Sequence, residues 1–141
     1  MLINSNIEKL YLGTKENNSP VNIFIVDDSA FMVKTINKML VAFGCNVVGS
    51  ANDGDAAIQN FFGLKNQVDL VTLDISMPKR DGLSALPELL KINPSVKVVM
   101  ISALGDKEKV KQAIVLGAKH FIVKPFKPEK VYDIIKWVLD H

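Results

Sequence analysis

Leu70-Val71-Thr72-Leu73-Asp74 is a nearly unbroken apolar run that stops at a carboxylate, and its reading decides the fold. A strand apolar on both sides must be covered by helices on both sides, which is the habit of parallel sheets. Three more β-branched-rich runs stop at chemistry-bearing side chains. Residues 21–26 run into Asp27 and Asp28, residues 96–101 into Ser102, and residues 121–123 into Lys124. In an open parallel sheet the carboxyl ends of the strands share one edge, and ligands bind there. Residues distant in sequence can therefore meet in one pocket, suited to a divalent cation and a phosphoryl group.

Outward from these runs, strands alternate with segments of helical period, the pattern of βαβ units. Strands are expected at about 21–26, 46–51, 70–74, 96–101 and 120–123. Helices are expected at about 29–43, 54–62, 84–91, 106–116 and 128–139. Phe31, Ile36, Met39, Leu40 and Phe43 recur at helical spacing in the first helix, with Gly44 as a left-handed stop. Pro87 is expected in the first turn of the third helix, because deeper inside it would remove a backbone bond. Pro128 opens the fifth at a permitted position. Right-handed crossovers then give an α/β, doubly wound (βα)5 three-layer sandwich over residues 21–141. Residues 1–20 form an N-terminal extension. Ser5 and Glu8 make a capping-box spacing, Gly13 can stop a helix, and Ile7, Leu10 and Tyr11 share one side, so one reading is a short helix that packs on this domain or mediates self-association, and the other is an extension with no function.

The 141 residues fit one domain and leave no room for a second. Seventeen basic residues against fifteen acidic ones give a formal charge of +2, with no general pull toward nucleic acid or a membrane surface. The excess is local: residues 105–141 carry eight Lys against five acids, a solvated face or a protein-docking one. The single cysteine, Cys45, precludes an internal disulfide and reads as a small buried apolar residue. No apolar run approaches membrane-spanning length and the N-terminus lacks a signal pattern, so a soluble, cytoplasmic protein is expected. A monomer is expected unless residues 1–20 mediate self-association.

Asp27, Asp28 and Asp74 supply the hard oxygen ligands that magnesium prefers. Crowded carboxylates repel one another, and a bound cation removes that conflict while neutralising an incoming phosphoryl group. Asp74 at the centre can act as a carboxylate nucleophile that forms an acyl phosphate. Lys124 offers an ammonium and Ser102 a hydroxyl to the phosphoryl oxygens. Taken singly, Asp28 or Ser29 after a strand reads as an N-cap. Asp74-Ile75-Ser76-Met77-Pro78-Lys79-Arg80-Asp81-Gly82 is more specific, joining a strand-end Asp to a proline and an Asp-Gly turn.

In these residues, over about 21–140, the chain resembles the response regulator receiver domains of two-component signalling. Val26-Asp27-Asp28-Ser29 is similar to the family's acidic pair, Asp74 with Met77-Pro78 and Asp81-Gly82 to its phosphoacceptor motif, Ser102-Ala103 to its Thr/Ser-Ala, and Lys124-Pro125-Phe126 to its Lys-Pro-Phe. The resemblance implies a flavodoxin-like fold with strand order 2-1-3-4-5, for which the family's chemotaxis members are a standard example. It implies phosphorylation of Asp74 by a histidine kinase, catalysed by the receiver itself with one Mg2+, for which Mn2+ can substitute. Asp27, Asp28, Asp74 and the Ser76 carbonyl would hold the ion. Ser76 and Leu104 would tune the lifetime of the product, Ser102 and Phe121 would act as the switch, and Lys124-Pro125 would be a cis peptide.

With the chain ending just after the fifth helix, output is expected through binding and not through a further enzymatic or DNA-binding domain. One candidate is a chemotaxis-type regulator docking on the flagellar motor switch, with a phosphatase as a further partner. Another is a phosphorelay shuttle serving a histidine phosphotransferase, and a third is a phosphate-independent interaction module. A haloacid dehalogenase-type phosphatase would need an Asp where Ser76 stands. Asp27-Asp28 would repel the phosphate of a flavin carrier.

Overall fold

The computed structural model describes Tyr11, Leu12, Lys15 and residues 19–141. Five parallel strands form one sheet in the order β2-β1-β3-β4-β5. The strands are β1 Asn22–Val26, β2 Asn46–Ala51, β3 Leu70–Asp74, β4 Lys97–Ser102 and β5 His120–Val123. Helices α1 Ala30–Ala42, α2 Gly54–Leu64, α3 Gly82–Ile92, α4 Lys107–Leu116 and α5 Pro128–Asp140 alternate with them, and a short 3₁₀ turn, Lys65–Gln67, follows α2. The expected doubly wound α/β fold and its strand order are therefore both observed.

Strand periodicity sorts the core into two layers. Phe24 and Val26, Val71 and Leu73, and Val98 and Met100 face Ala57, Phe61, Leu86, Leu89, Val110 and Ala113 of α2, α3 and α4. The alternate residues Ile23, Ile25, Leu70, Val99 and Ile101 face Ile36, Leu40, Val131, Ile134, Ile135 and Val138 of α1 and α5. With β1 and β3 central in the sheet and covered on both sides, their carboxyl ends are held rigidly beside one another.

Thr72 interrupts the second layer. Its side chain is buried and its Oγ1 has no hydrogen-bond partner. Since an unpaired buried hydroxyl carries a desolvation cost that the isosteric methyl does not, Thr72→Val is expected to raise stability by about 1 kcal/mol in urea denaturation.

Two local expectations are corrected. Helix α3 starts two residues earlier than expected because the Asp81 side chain accepts the Ser84 N–H and caps it there, which puts Pro87 at the sixth helical residue and not in the first turn. Phe31 belongs to α1 but is 76% exposed and does not join the buried Ile36, Leu40 and Phe43. Gly44 does stop α1, with φ 87, and Cys45 is buried.

The helix expected within residues 1–20 lies outside the described residues. What is described of that segment packs on the edge of the domain remote from the strand carboxyl ends. The Leu12 N–H donates to the Phe43 carbonyl at 2.9 Å, the Tyr132 hydroxyl to the Tyr11 carbonyl at 3.3 Å, and Lys15 Nζ lies 2.9 Å from Asp69 Oδ2.

Candidate functional site

The carboxyl ends of β1 and β3 bring Asp27, Asp28 and Asp74 together, with one carboxylate oxygen from each lying within 4.8 Å of the others. Asp27 and Asp74 are buried, while Asp28 is exposed at the rim. Asp27 is fixed by its own backbone, whose N–H donates to the Ala51 carbonyl at 3.1 Å, and its Oδ1 accepts the Ser29 N–H at 2.9 Å. Ser29, not an acid, caps α1 by accepting the Met32 N–H at 3.2 Å, which leaves Asp28 free of that task.

Lys124 arrives from the end of β5. Its Nζ lies 3.3 Å from Asp27 Oδ2 and 3.6 Å from Asp74 Oδ2. Lys124-Pro125 is a cis peptide, as the resemblance implies, and the Lys124 N–H donates to the Ser102 carbonyl at 2.7 Å. One ammonium thus faces three carboxylates, and the balance is negative. Burial first, then the charge of Asp27 with a further contribution from Asp28, pushes the Asp74 carboxyl up to about 7 against the opposing pull of Lys124 and the Ser76 backbone N–H.

That shift makes a prediction for the metal-free chain. The folded protein keeps a proton on Asp74 that the unfolded chain releases near its ordinary value of 3.8, so folding stability falls as pH rises from about 4 through about 7. Asp74→Asn should flatten the fall, and millimolar Mg2+ should offset it in the wild type. Urea midpoints measured at pH 5 and pH 8 in EDTA, with and without added Mg2+, check both.

The donor set fits a divalent cation. Asp27 Oδ2 is buried and, among the described residues, accepts no hydrogen bond, with the Lys124 ammonium 3.3 Å away. Three hard oxygens with one face open to solvent match the habit of Mg2+, which retains several waters.

The remaining expected residues divide. Ser102 ends β4, where Asp74 pairs with Ile101 in register, and its buried Oγ makes only a long, 3.5 Å contact to the Ile122 carbonyl. That weak bond leaves the hydroxyl available to a stronger acceptor. Ser76 is exposed and presents its backbone to Asp74. Phe121 is half-buried against the first core layer. Leu104 does not join the acids. It is 80% exposed and lines, with Phe121, Val110, Ile114 and Val115, an apolar groove of about 700 Å³ between α4 and β5. Sequence reading assigned no task to Gly54 or to the Arg80 side chain, both of which prove to hold the loop after Asp74. Their only signals were a glycine opening a helix and a loop cation.

A family model for the response regulator receiver domain matches residues 23–136. The chemotaxis protein CheY of Treponema pallidum is 43% identical over 132 residues, covering 94% of this chain and 92% of that protein. The chemotaxis protein CheY of Bacillus subtilis is 42% identical, covering 84% and 97%. Among solved structures, a chain of the CheX-CheY-BeF3-Mg2+ complex from Borrelia burgdorferi aligns with a TM-score of 0.85 at 38% identity, covering 90% of this chain and 95% of that one.

Proposed function

Because the chain belongs to the response regulator receiver domain family, we propose that it accepts a phosphoryl group on Asp74 and converts that event into binding of a chemotaxis partner. The observation that carries this reading is the convergence of three carboxylates within 4.8 Å beside one lysine, at the ends of three different strands.

In this reading Asp27, Asp28, Asp74 and the Ser76 carbonyl hold one Mg2+, and a chemotaxis-type histidine kinase is the donor. When bound, the ion supplies positive charge against the carboxylates and the transferred phosphoryl oxygens. Asp74, central and backed by the Ser76 N–H, is the nucleophile. Lys124 moves from pairing carboxylates to pairing a phosphoryl oxygen, and the Ser102 hydroxyl exchanges its long contact to Ile122 for a charge-assisted bond. Ser102 and Phe121 both line the α4–β5 groove, so movement of the hydroxyl alters the surface where Leu104, Ile114 and Val115 stand exposed and which Lys107 and Lys111 also line. That face is the docking surface, and the flagellar motor switch is its target. The chemotaxis proteins among the relatives support the choice of pathway, and a phosphatase that removes the group is a further partner; the Borrelia complex, which joins CheY to CheX, supports binding to a further protein.

The test is intact mass after incubation with acetyl phosphate. The expected result is a gain of about 80 Da, one phosphoryl group, that requires Mg2+ and is lost in alkali. No gain at any Mg2+ concentration would sink the reading. With the gain established, motor-switch peptide binding that tightens on phosphorylation supports the chemotaxis target, and binding indifferent to it counts against that target.

A further inference from the structure

The turn between β2 and α2, residues 51–54, reaches both halves of the acidic site through backbone atoms. The Ala51 carbonyl accepts the Asp27 N–H at 3.1 Å, while the Gly54 N–H donates to the Arg80 carbonyl at 2.9 Å in the loop that follows Asp74. The second contact requires residue 54 to lack a side chain. A Cβ there would run into the Arg80 carbonyl oxygen, with Arg80 Cβ at 2.7 Å and its carbonyl carbon at 2.9 Å.

Side chains reinforce the same junction. Asp53 caps α2 by accepting the Ala56 N–H at 2.8 Å, and its other oxygen lies 3.8 Å from Lys79 Nζ. Arg80 Nε donates to Ser84 Oγ at 2.9 Å, and its guanidinium lies 3.8 Å from Asp55 and 4.0 Å from Glu88. Exposed ion pairs of this kind contribute little individually. The backbone approach of Gly54 to Arg80 carries the geometry, and the Arg80 fork steadies it.

We propose that residues 51–54, acting through Gly54 on Arg80, are a positioning device that sets the spacing between the Asp27/Asp28 pair and the Asp74 loop, and thereby the size of ion the site accepts. The proposal rests on reading the three carboxylates as a divalent-cation site. Mg2+ demands near-octahedral oxygens at about 2.0–2.1 Å, whereas Ca2+ tolerates irregular sets at about 2.3–2.6 Å. A loop pushed away from the turn therefore penalises the smaller ion more.

Isothermal titration of the full chain with MgCl2 and with CaCl2 tests this on wild type, Gly54→Ala and Arg80→Ala. Gly54→Ala is expected to weaken Mg2+ binding about tenfold, the scale of an outer-shell change, and Ca2+ binding less than about threefold. Arg80→Ala leaves the backbone bond in place and shifts the ratio in the same direction by a smaller factor, roughly two. If Gly54→Ala fails to fold, Arg80→Ala decides alone. A Mg2+ to Ca2+ ratio unchanged in the folded variants overturns the proposal, whether both affinities hold or fall together, since a merely structural role lowers both alike. A wild-type chain that binds neither ion overturns the cation-site reading and this inference with it.

Discussion

Asp74→Asn is expected to show no mass gain with acetyl phosphate and Mg2+ under conditions in which the wild type gains one phosphoryl group. The amide keeps the size of the carboxylate but cannot form an acyl phosphate, so the loss is complete, not graded. Neither neighbour can take over. Asp27 is fully buried and its Oδ1 is spent on the Ser29 N–H, while Asp28 is exposed at the rim, and the ion pairs of Lys124 run to Asp27 and Asp74. The variant should also fold at least as well as the wild type, because it removes a carboxyl whose ionisation the surroundings resist, as its value of about 7 records. Loss of the mass gain with stability retained or raised is therefore the specific signature. A gain that persists in Asp74→Asn would place the phosphoryl group on another side chain and sink the assignment.

Much of this site was legible because the strands that carry it are buried on both faces. Residues 23–26, 70–74 and 98–102 are buried throughout, so their apolar runs end abruptly and the polar residue at each end stands out. Order along the chain and the resemblance then brought Asp27, Asp28, Asp74, Ser102 and Lys124 to one edge. Helical detail was less legible because local rules compete. A proline argues for a late start to α3, yet Asp81 offers a local cap and Gly82 a close fit against Asp74 and Ile75, and together these prevail over the lost backbone bond. Phe31 reads as part of the helical repeat with Ile36, Met39, Leu40 and Phe43, but it lies five positions before Ile36, a rotation of about 140° that takes it off that face and turns it to solvent. The grip of Gly54 on Arg80 could not be read at all, since nothing in a sequence marks which carbonyl will pass beneath a glycine.

Gly82→Ala should destabilise the fold by about 2–4 kcal/mol, opposite in sign to the usual effect of replacing a helical glycine. Gly82 is the first residue of α3, where alanine would ordinarily gain up to about 1 kcal/mol. Here a Cβ would run into the carbonyl oxygen of Asp74, with the Asp74 carbonyl carbon at 3.0 Å and Ile75 Cα at 3.1 Å. All three obstacles are backbone atoms, and they belong to a strand end held in register with β4 and to a turn closed by the Gly82 N–H donating to Ile75 at 2.9 Å. No flexible side chain can swing aside, so relief requires either breaking that bond or moving Asp74, the proposed nucleophile. The damage should therefore reach chemistry as well as stability, with phosphorylation slowed even where the protein remains folded. Gly63→Ala provides the control within the same molecule: residue 63 lies in α2 with nothing within 4 Å of a new Cβ, and there the substitution should stabilise by about 0.5–1 kcal/mol. Urea denaturation of the two variants beside the wild type measures both signs. A Gly82→Ala protein as stable as Gly63→Ala would mean that the loop after Asp74 yields freely, and would remove the argument that close backbone packing holds Asp74, the proposed acceptor, in place.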